Sequence, residues 1–377
     1  MQKKLIALAM ASAFAAPAFA ATSNVDIYGV FNMSVERIDS GRTGVDKSTS
    51  VNNNNSRIGF KGTEDLGGGL AAVWQVESSI AADQGSGSLA ARNTFVGLKG
   101  GFGTVLLGKI DTPMKGLGRA VDNFGDGIAD SRNILGTTLV GANAWDARTN
   151  NTIAYVTPDF SGLSAVLAYV TDTSASGTTA APISSITTCA SSLDCNKRDA
   201  WSGAVNYNNG PLMLGAGYEK HNSSAAGVDL SAHIWRAVAG YSFGGAKLGA
   251  LYEKASGDAL ANGDSLMDRK AWGVFGNYAI GAVTLKANYL KADEQGNIAN
   301  SGAKQYTLGA DYALSKRTTA YAFYAKVKND TNAGYGLGAA GTSNTFIPGS
   351  NAGTTAAPFP YAGVDPSVFG IGMKHSF

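Results

Sequence analysis

The charged residues between positions 57 and 148 are the ones whose character and spacing could act on a solute. Arg57 and Lys61 lie four residues apart, an even spacing that sets both on one face of an extended chain. Gln75 and Glu77 alternate with Trp74 and Val76, so Glu77 shares a polar face. Arg92 opens the next segment, and Arg148 runs in phase with Asn150 and Thr152. Between them, the polar stretch from Asp111 to Ala147 carries Asp111, Lys115, Arg119, Asp122, Asp126, Asp130, Arg132 and Asp146, with six glycines. Clusters of Arg, Lys and carboxylates without a nucleophile or a metal-ligand set suit electrostatic work on a polar solute more than bond-making chemistry.

Covalent chemistry is poorly served. His221, His233 and His375 are scattered, and no G-x-S-x-G accompanies them, so a Ser/His/acid or paired-acid enzyme site is not supported. Gly336-Leu337-Gly338-Ala339-Ala340-Gly341 matches G-x-G-x-x-G, but it lies in low-complexity sequence without a strand–turn–helix context. Cys189 and Cys195, six positions apart in a Ser/Thr-rich stretch, are expected to form a disulfide if the chain is exported. They do not read as a zinc site, which needs four ligands. No cofactor, metal or catalytic residue is expected, and a net charge of +2 is no nucleic-acid footprint.

Export is the expectation. Lys3 and Lys4 precede an apolar run from Leu5 to Ala15, and Ala18-Phe19-Ala20 has the A-x-A form of a cleavage site. Residues 1–20 therefore read as a signal peptide and 21–377 as one domain. Removing the two lysines leaves 28 basic and 28 acidic residues, a neutral mature chain. Beyond residue 20 there is no apolar run of roughly 18 residues to make a transmembrane helix. Mean hydropathy is −0.04, yet only 15% of residues are charged.

From Val25 to Phe377 the chain alternates with a period of two, the strand period. Val283, Leu285, Ala287 and Tyr289 oppose Thr284, Lys286 and Asn288. Tyr306, Leu308, Ala310, Tyr312 and Leu314 oppose Gln305, Thr307, Gly309 and Asp311. Thr319, Tyr321, Phe323, Ala325 and Val327 oppose Ala320, Ala322, Tyr324, Lys326 and Lys328. The segment from Arg92 to Lys99 shows no clean face, as a strand packed against a neighbouring subunit would. Seven tight connections, such as Gly100–Gly103 and Asn208–Pro211, alternate with eight long polar ones near 39–55, 81–90, 111–147, 173–198, 221–232, 256–268, 293–303 and 329–365. Fifteen connections give sixteen strands.

Two length classes of connection, strands near ten residues and Tyr or Trp near many strand ends predict an all-β fold. It is a 16-stranded antiparallel transmembrane β-barrel with short periplasmic turns and long external loops. A soluble sandwich or β-helix would alternate too, but its connections would not sort so regularly. A sixteen-strand barrel leaves an aqueous lumen.

Several motifs then carry a family resemblance. Asp26-Ile27-Tyr28-Gly29, the run Ser56 to Gly67 (SRIGFKGTEDLG), Phe95-Val96-Gly97-Leu98 with Gly101-Phe102-Gly103-Thr104-Val105, Leu314 to Thr319 (LSKRTT) and the terminal Gly372 to Phe377 (GMKHSF) resemble Gram-negative general diffusion porins. The likeness is to the trimeric neisserial and comamonad type, and it spans the mature chain. It implies an outer-membrane homotrimer passing ions and small hydrophilic solutes passively. The loop from Asp111 is then the third long loop, folded inward as a constriction. Arg57, Arg92 and Arg148 match the lumenal arginine cluster that attracts anions in comamonad porins, and Phe377 matches the assembly signal read by the barrel-assembly machinery. Outer-membrane lipid and lipopolysaccharide are the expected surroundings. A weak anion preference follows, set by a basic wall facing an acidic loop. A substrate-specific channel or an adhesin barrel is the alternative.

Overall fold

A computed structural model describes residues 24–137, 145–171, 199–225, 228–258, 268–338 and 362–377. The expected signal peptide, 1–20, and the pair Cys189 and Cys195 lie outside the described residues. The strands are β1 Asn24–Asp39, β2 Ser48–Asn53, β3 Arg57–Gly67, β4 Leu70–Ala81, β5 Ser86–Ser88, β6 Thr94–Gly100, β7 Gly103–Asp111, β8 Arg148–Val156 and β9 Leu163–Val170. Then come β10 Ala200–Asn209, β11 Leu212–Ala225, β12 Val228–Phe243, β13 Ala246–Gly257, β14 Arg269–Ile280, β15 Val283–Ala292, β16 Ala303–Ala313, β17 Thr318–Asn329 and β18 Ser367–Ser376.

Pieces β2 and β3 both pair with β1, and β5 and β6 both pair with β4, so each couple forms one interrupted span. The eighteen strands thus make sixteen spans, all antiparallel. β1 closes on β18 in continuous register from Val30–Ser376 to Asp39–Ser367. The Gly29 and Phe377 backbones extend that ladder, N to O, at 3.1 and 3.2 Å. Closure is what lipid demands, since an open edge would leave backbone groups unpaired.

The alternation read from the sequence sorts residues as expected in most spans. In β16, Leu308 is 62% exposed to the outside while Gln305 and Thr307 are fully buried inside. In β17 the phase is reversed: Tyr321, Phe323, Ala325 and Val327 point inward, and Tyr324, Lys326 and Lys328 outward. The inner face there is dry, because Ala333, Tyr335 and Leu337 of the last long connection pack into it. Three stretches read as loop are strand, the shortest being residues 86–88, which pair with β4. Residues 48–53 pair with β1, and residues 221–225 and 228–232 continue the β11–β12 hairpin, with Asn222 opposite Ser231. Polar residues form the ladder there because the strands run past the hydrocarbon.

The described parts of the long connection after β7, residues 111–137 and 145–147, fold into the barrel. Thr112 caps α1, Pro113–Arg119, by accepting from the Lys115 N–H, and Pro113 supplies the fixed φ that suits a first helical turn. The Met114 N–H donates to Ser202 Oγ on β10 at 3.4 Å. Leu117 seats on Gly215 and Gly217 of β11, where a Cβ would lie 2.6 Å from a Leu117 methyl. Val121 packs on Gly249 and Phe124 on Gly309. The main apolar core therefore lies between this loop and the wall β10–β17. The variant Gly217→Val should overpack this contact, costing about 1–3 kcal/mol and pushing α1 into the lumen. Equilibrium unfolding and single-channel conductance should both fall, and two unchanged values would refute the contact.

Candidate functional site

Opposite the packed loop, three arginines line the open side of the lumen, and each meets a carboxylate. Arg57 Nη1 is 3.0 Å from Asp126 Oδ2, and its Nε is 4.0 Å from Glu77 Oε2. Arg92 Nε donates to Glu77 Oε1 at 2.5 Å. Arg148 Nε lies 3.0 Å from Asp111 Oδ1, which Lys115 Nζ also approaches at 2.7 Å. Across from Arg57, Arg119 Nη2 donates to Asp126 Oδ1 at 2.5 Å. Asp126 is thus a bridge between the loop and the wall.

Backbone irregularities aim these groups. Asn55, in the gap between β2 and β3, has φ +56°, a conformation Asn tolerates. It turns its side chain onto the Asp126 carbonyl at 3.2 Å and precedes Arg57 in the strand. Ala90 has φ +55° between β5 and β6. The chain leaves the ladder there, so the adjacent Arg92 and Asn93 both point inward. This resolves the absence of a clean face: Val96 and Leu98 are exposed outward, whereas Arg92 does not follow their phase. A register shift between Gly108 and Ile110 similarly re-aims the end of β7.

Of the residues singled out from sequence, Arg57, Glu77, Arg92, Asp111, Lys115, Arg119, Asp126 and Arg148 come together. Lys61 shares the inner face with Arg57 but stands apart, exposed, with Nζ 5.5 Å from the Tyr28 ring centroid. Asp122, Asp130 and Arg132 sit on the buried side of the loop instead. Arg132 clasps Asp130 through two bonds of 3.0 Å. Asp122 accepts from the Phe124 and Ser131 N–H groups and from Asn288. Phe377 packs its ring 5.9 Å from Phe31 on the closing seam.

Burial pushes the Asp126 carboxyl up, but the Arg119 and Arg57 guanidiniums outweigh it and hold it below the usual value. Burial of Lys115 pulls its ammonium down to about 7 despite Asp111 beside it. Burial and the neighbouring Asp130 carboxylate push Asp122 up to about 6, whereas Arg132 keeps Asp130 well below the ordinary range. Because Asp122 binds its proton more tightly folded than unfolded, its contribution weakens stability as pH rises from about 4 to 6. The unfolding free energy of Asp122→Asn is expected to be flatter over that window than the wild type's. Parallel pH curves would contradict the assignment.

Some of the machinery escaped the sequence reading. Tyr28 arches over Gly59 and donates to Glu77 at 3.1 Å. Asn93 Oδ1 accepts from Arg148 Nε at 2.8 Å. On the far wall, Arg236 is fully buried, donating to Asp146 at 2.7 Å, to Glu253 at 2.6 Å and to the Met114 carbonyl at 2.9 Å. Arg269 joins Glu253 at 2.6 Å and the Ile134 carbonyl at 2.6 Å. These contacts clamp both legs of the loop. The signal was available: charged residues in the middle of otherwise apolar spans must face inward.

A closed barrel with a charged loop folded across its lumen is a membrane channel, and the comparisons agree. A family model described as Gram-negative porin matches residues 7–332. Outer membrane porin protein 32 of Delftia acidovorans is 30% identical over 391 aligned positions, covering all of both chains. Major outer membrane protein P.IB of Neisseria meningitidis serogroup B is 30% identical over 335 residues, 85% of this chain and 91% of that protein. The anion-selective porin from Comamonas acidovorans has a TM-score of 0.73 at 26% identity, covering 94% of this chain and all of that one. The trimer form of OmpT from Vibrio cholerae shares the fold, with a TM-score of 0.64 at 18% identity, covering 94% of this chain and 99% of that one.

The chain belongs to the Gram-negative porin family. It is an outer-membrane β-barrel channel and not an enzyme.

Proposed function

We propose that this porin is a weakly anion-selective diffusion channel whose constriction is the gap between the arginine wall and the third long loop. The observation carrying this is local charge. Around the gap, Arg57, Arg92, Arg119, Arg148 and Lys115 face Glu77, Asp111 and Asp126, five cations against three carboxylates. The expected contrast of basic wall and acidic loop becomes a set of interleaved pairs with a positive remainder. Below the loop tip, a lumenal cavity of about 360 Å³ is lined by Lys286, Lys316, Arg317 and Lys374 with Asp311 alone as acid. An anion therefore meets positive potential both at the gap and beneath it. The anion-selective structural relative supports the same sign.

The same reading includes a homotrimer, removal of residues 1–20, a Cys189–Cys195 disulfide and Phe377 as the assembly signal. The outward face supports the trimer. Aromatic residues near the loop end are concentrated on β9–β17, while the outward Val96, Leu98, Val105 and Leu107 of β6 and β7 offer a plain apolar surface to neighbouring subunits. Liposome swelling with the purified protein tests the diffusion reading. Uptake of neutral sugars should fall smoothly with size, and small carboxylates should enter faster than cations of equal size. Saturable uptake of one sugar only would favour the substrate-specific channel.

A further inference from the structure

The geometry points to Tyr28 as a positioning residue that sets the charge preference of the channel. Its hydroxyl holds Glu77 back against the wall, so that Arg57 and not the carboxylate is presented to passing solutes. The inference rests on the reading of the arginine wall as the selective element.

The device is a row of three residues at one height. Tyr28 on β1 is directly opposite Gly59 on β3, and Gly59 is directly opposite Glu77 on β4. The row faces the lumen: Ile27 and Phe31 of β1 are exposed to the outside, and Arg57 and Lys61 flank Gly59 on its own face. With β3 between them, β1 and β4 lie roughly 9–10 Å apart. A phenol bridges that distance only by lying flat over the middle strand. A Cβ on Gly59 would fall 2.2 Å from the Tyr28 Cζ and 2.5 Å from its hydroxyl oxygen. Gly59 does not have a left-handed φ. Room for the ring, and not backbone conformation, therefore calls for glycine here.

Glu77 stands between two guanidiniums. Arg92 Nε donates to Oε1 at 2.5 Å, while Arg57 Nε is 4.0 Å from Oε2, too far for a hydrogen bond. The Tyr28 hydroxyl donates to that same Oε2 at 3.1 Å. It occupies the oxygen that Arg57 would otherwise take, and Arg57 bonds Asp126 on the loop at 3.0 Å instead. Side-chain exposure follows, with 19% for Arg57 against 9% for Glu77. The acid is hidden and the base is shown to the lumen. Hydrogen bonds to a charged carboxylate are among the stronger ones. Without the phenolic hydrogen, Glu77 is free to close on Arg57 or to swing into the gap, and both movements lower the positive potential an anion meets.

The test is a double-mutant cycle on the folded barrel in planar bilayers, read as the zero-current potential across a potassium chloride gradient. Its members are the wild type, Y28F, E77Q and Y28F/E77Q. Y28F keeps the ring and removes only the donor, so the cycle needs no repacking, and heat-modifiable migration checks each fold. In the wild-type background Y28F should lower the anion-to-cation permeability ratio about two- to threefold. In the E77Q background, where the charge is gone, it should change the ratio by less than about 1.3-fold. G59A, which lifts the ring off the wall, should lower the ratio at least as far and reduce single-channel conductance more than Y28F does. An equal shift in both backgrounds would mean that Tyr28 acts through the shape of the lumen and would overturn the inference. A Y28F ratio within about 1.3-fold of wild type would overturn it too. A cation-selective wild type would instead refute the anion reading of the wall, and the cycle would still report whether Tyr28 acts through Glu77.

Discussion

Replacing Arg57, Arg92 and Arg148 together with glutamine should reverse the ion preference of the channel. The gap would pass from five cations and three carboxylates to two cations, Lys115 and Arg119, and the same three carboxylates. Glu77 would lose both of its guanidinium partners, and Asp111 would keep only Lys115. One unit charge 4 Å away is worth about 1 kcal/mol in water, and salt weakens it at longer range. Three lost charges should therefore shift the anion-to-cation permeability ratio on the order of tenfold. The measurement is the zero-current potential at pH 6, where Lys115 is still protonated. Folding should survive, since these pairs border a wet lumen, and unchanged heat-modifiable migration checks this. A ratio within twofold of wild type would mean that other groups set the preference.

The second large effect concerns the loop clamp. Arg236→Ala leaves Asp146 and Glu253 buried without their main counter-charge, although Arg269 still touches Glu253. Breaking one side of a buried ion network costs about 3–5 kcal/mol. Much of that cost falls on loop docking, because Arg236 also holds the Met114 carbonyl of α1. The expected result is a loss of that size in equilibrium unfolding in detergent, with larger and noisier single-channel currents. The double variant R236M/E253Q should recover part of the stability, since it removes charge from both sides. A stability loss under 1 kcal/mol with quiet currents would show that the loop is held elsewhere.

The barrel was legible because lipid imposes the period, the closure and the two connection lengths directly on the residues. Sixteen spans follow from counting connections, even though two spans prove to be broken at Asn55 and Ala90. The wall arginines were legible because a guanidinium on the lipid face is costly. The loop acids were not sorted correctly, because nothing in the string Asp122 to Arg132 says which carboxylates face water. That depends on Asn288 receiving Asp122 and on Arg132 folding back onto Asp130. The inward phase of β17 was hidden for a similar reason. Tyr335 and Leu337, brought in from the last long connection, dry out a stretch of lumen that the pattern alone marks as wet. The clamp of Arg236, Glu253 and Arg269 joins residues on three strands to a loop more than a hundred positions earlier, and its meaning appears only once the barrel closes.

The most direct measurement is the zero-current potential of the wild-type protein in a planar bilayer across a tenfold gradient of potassium chloride. Positive remainder at the gap requires open, stepwise conductance and a potential of the sign given by chloride moving faster than potassium. A cation-selective sign, or silence from correctly folded protein, would contradict it.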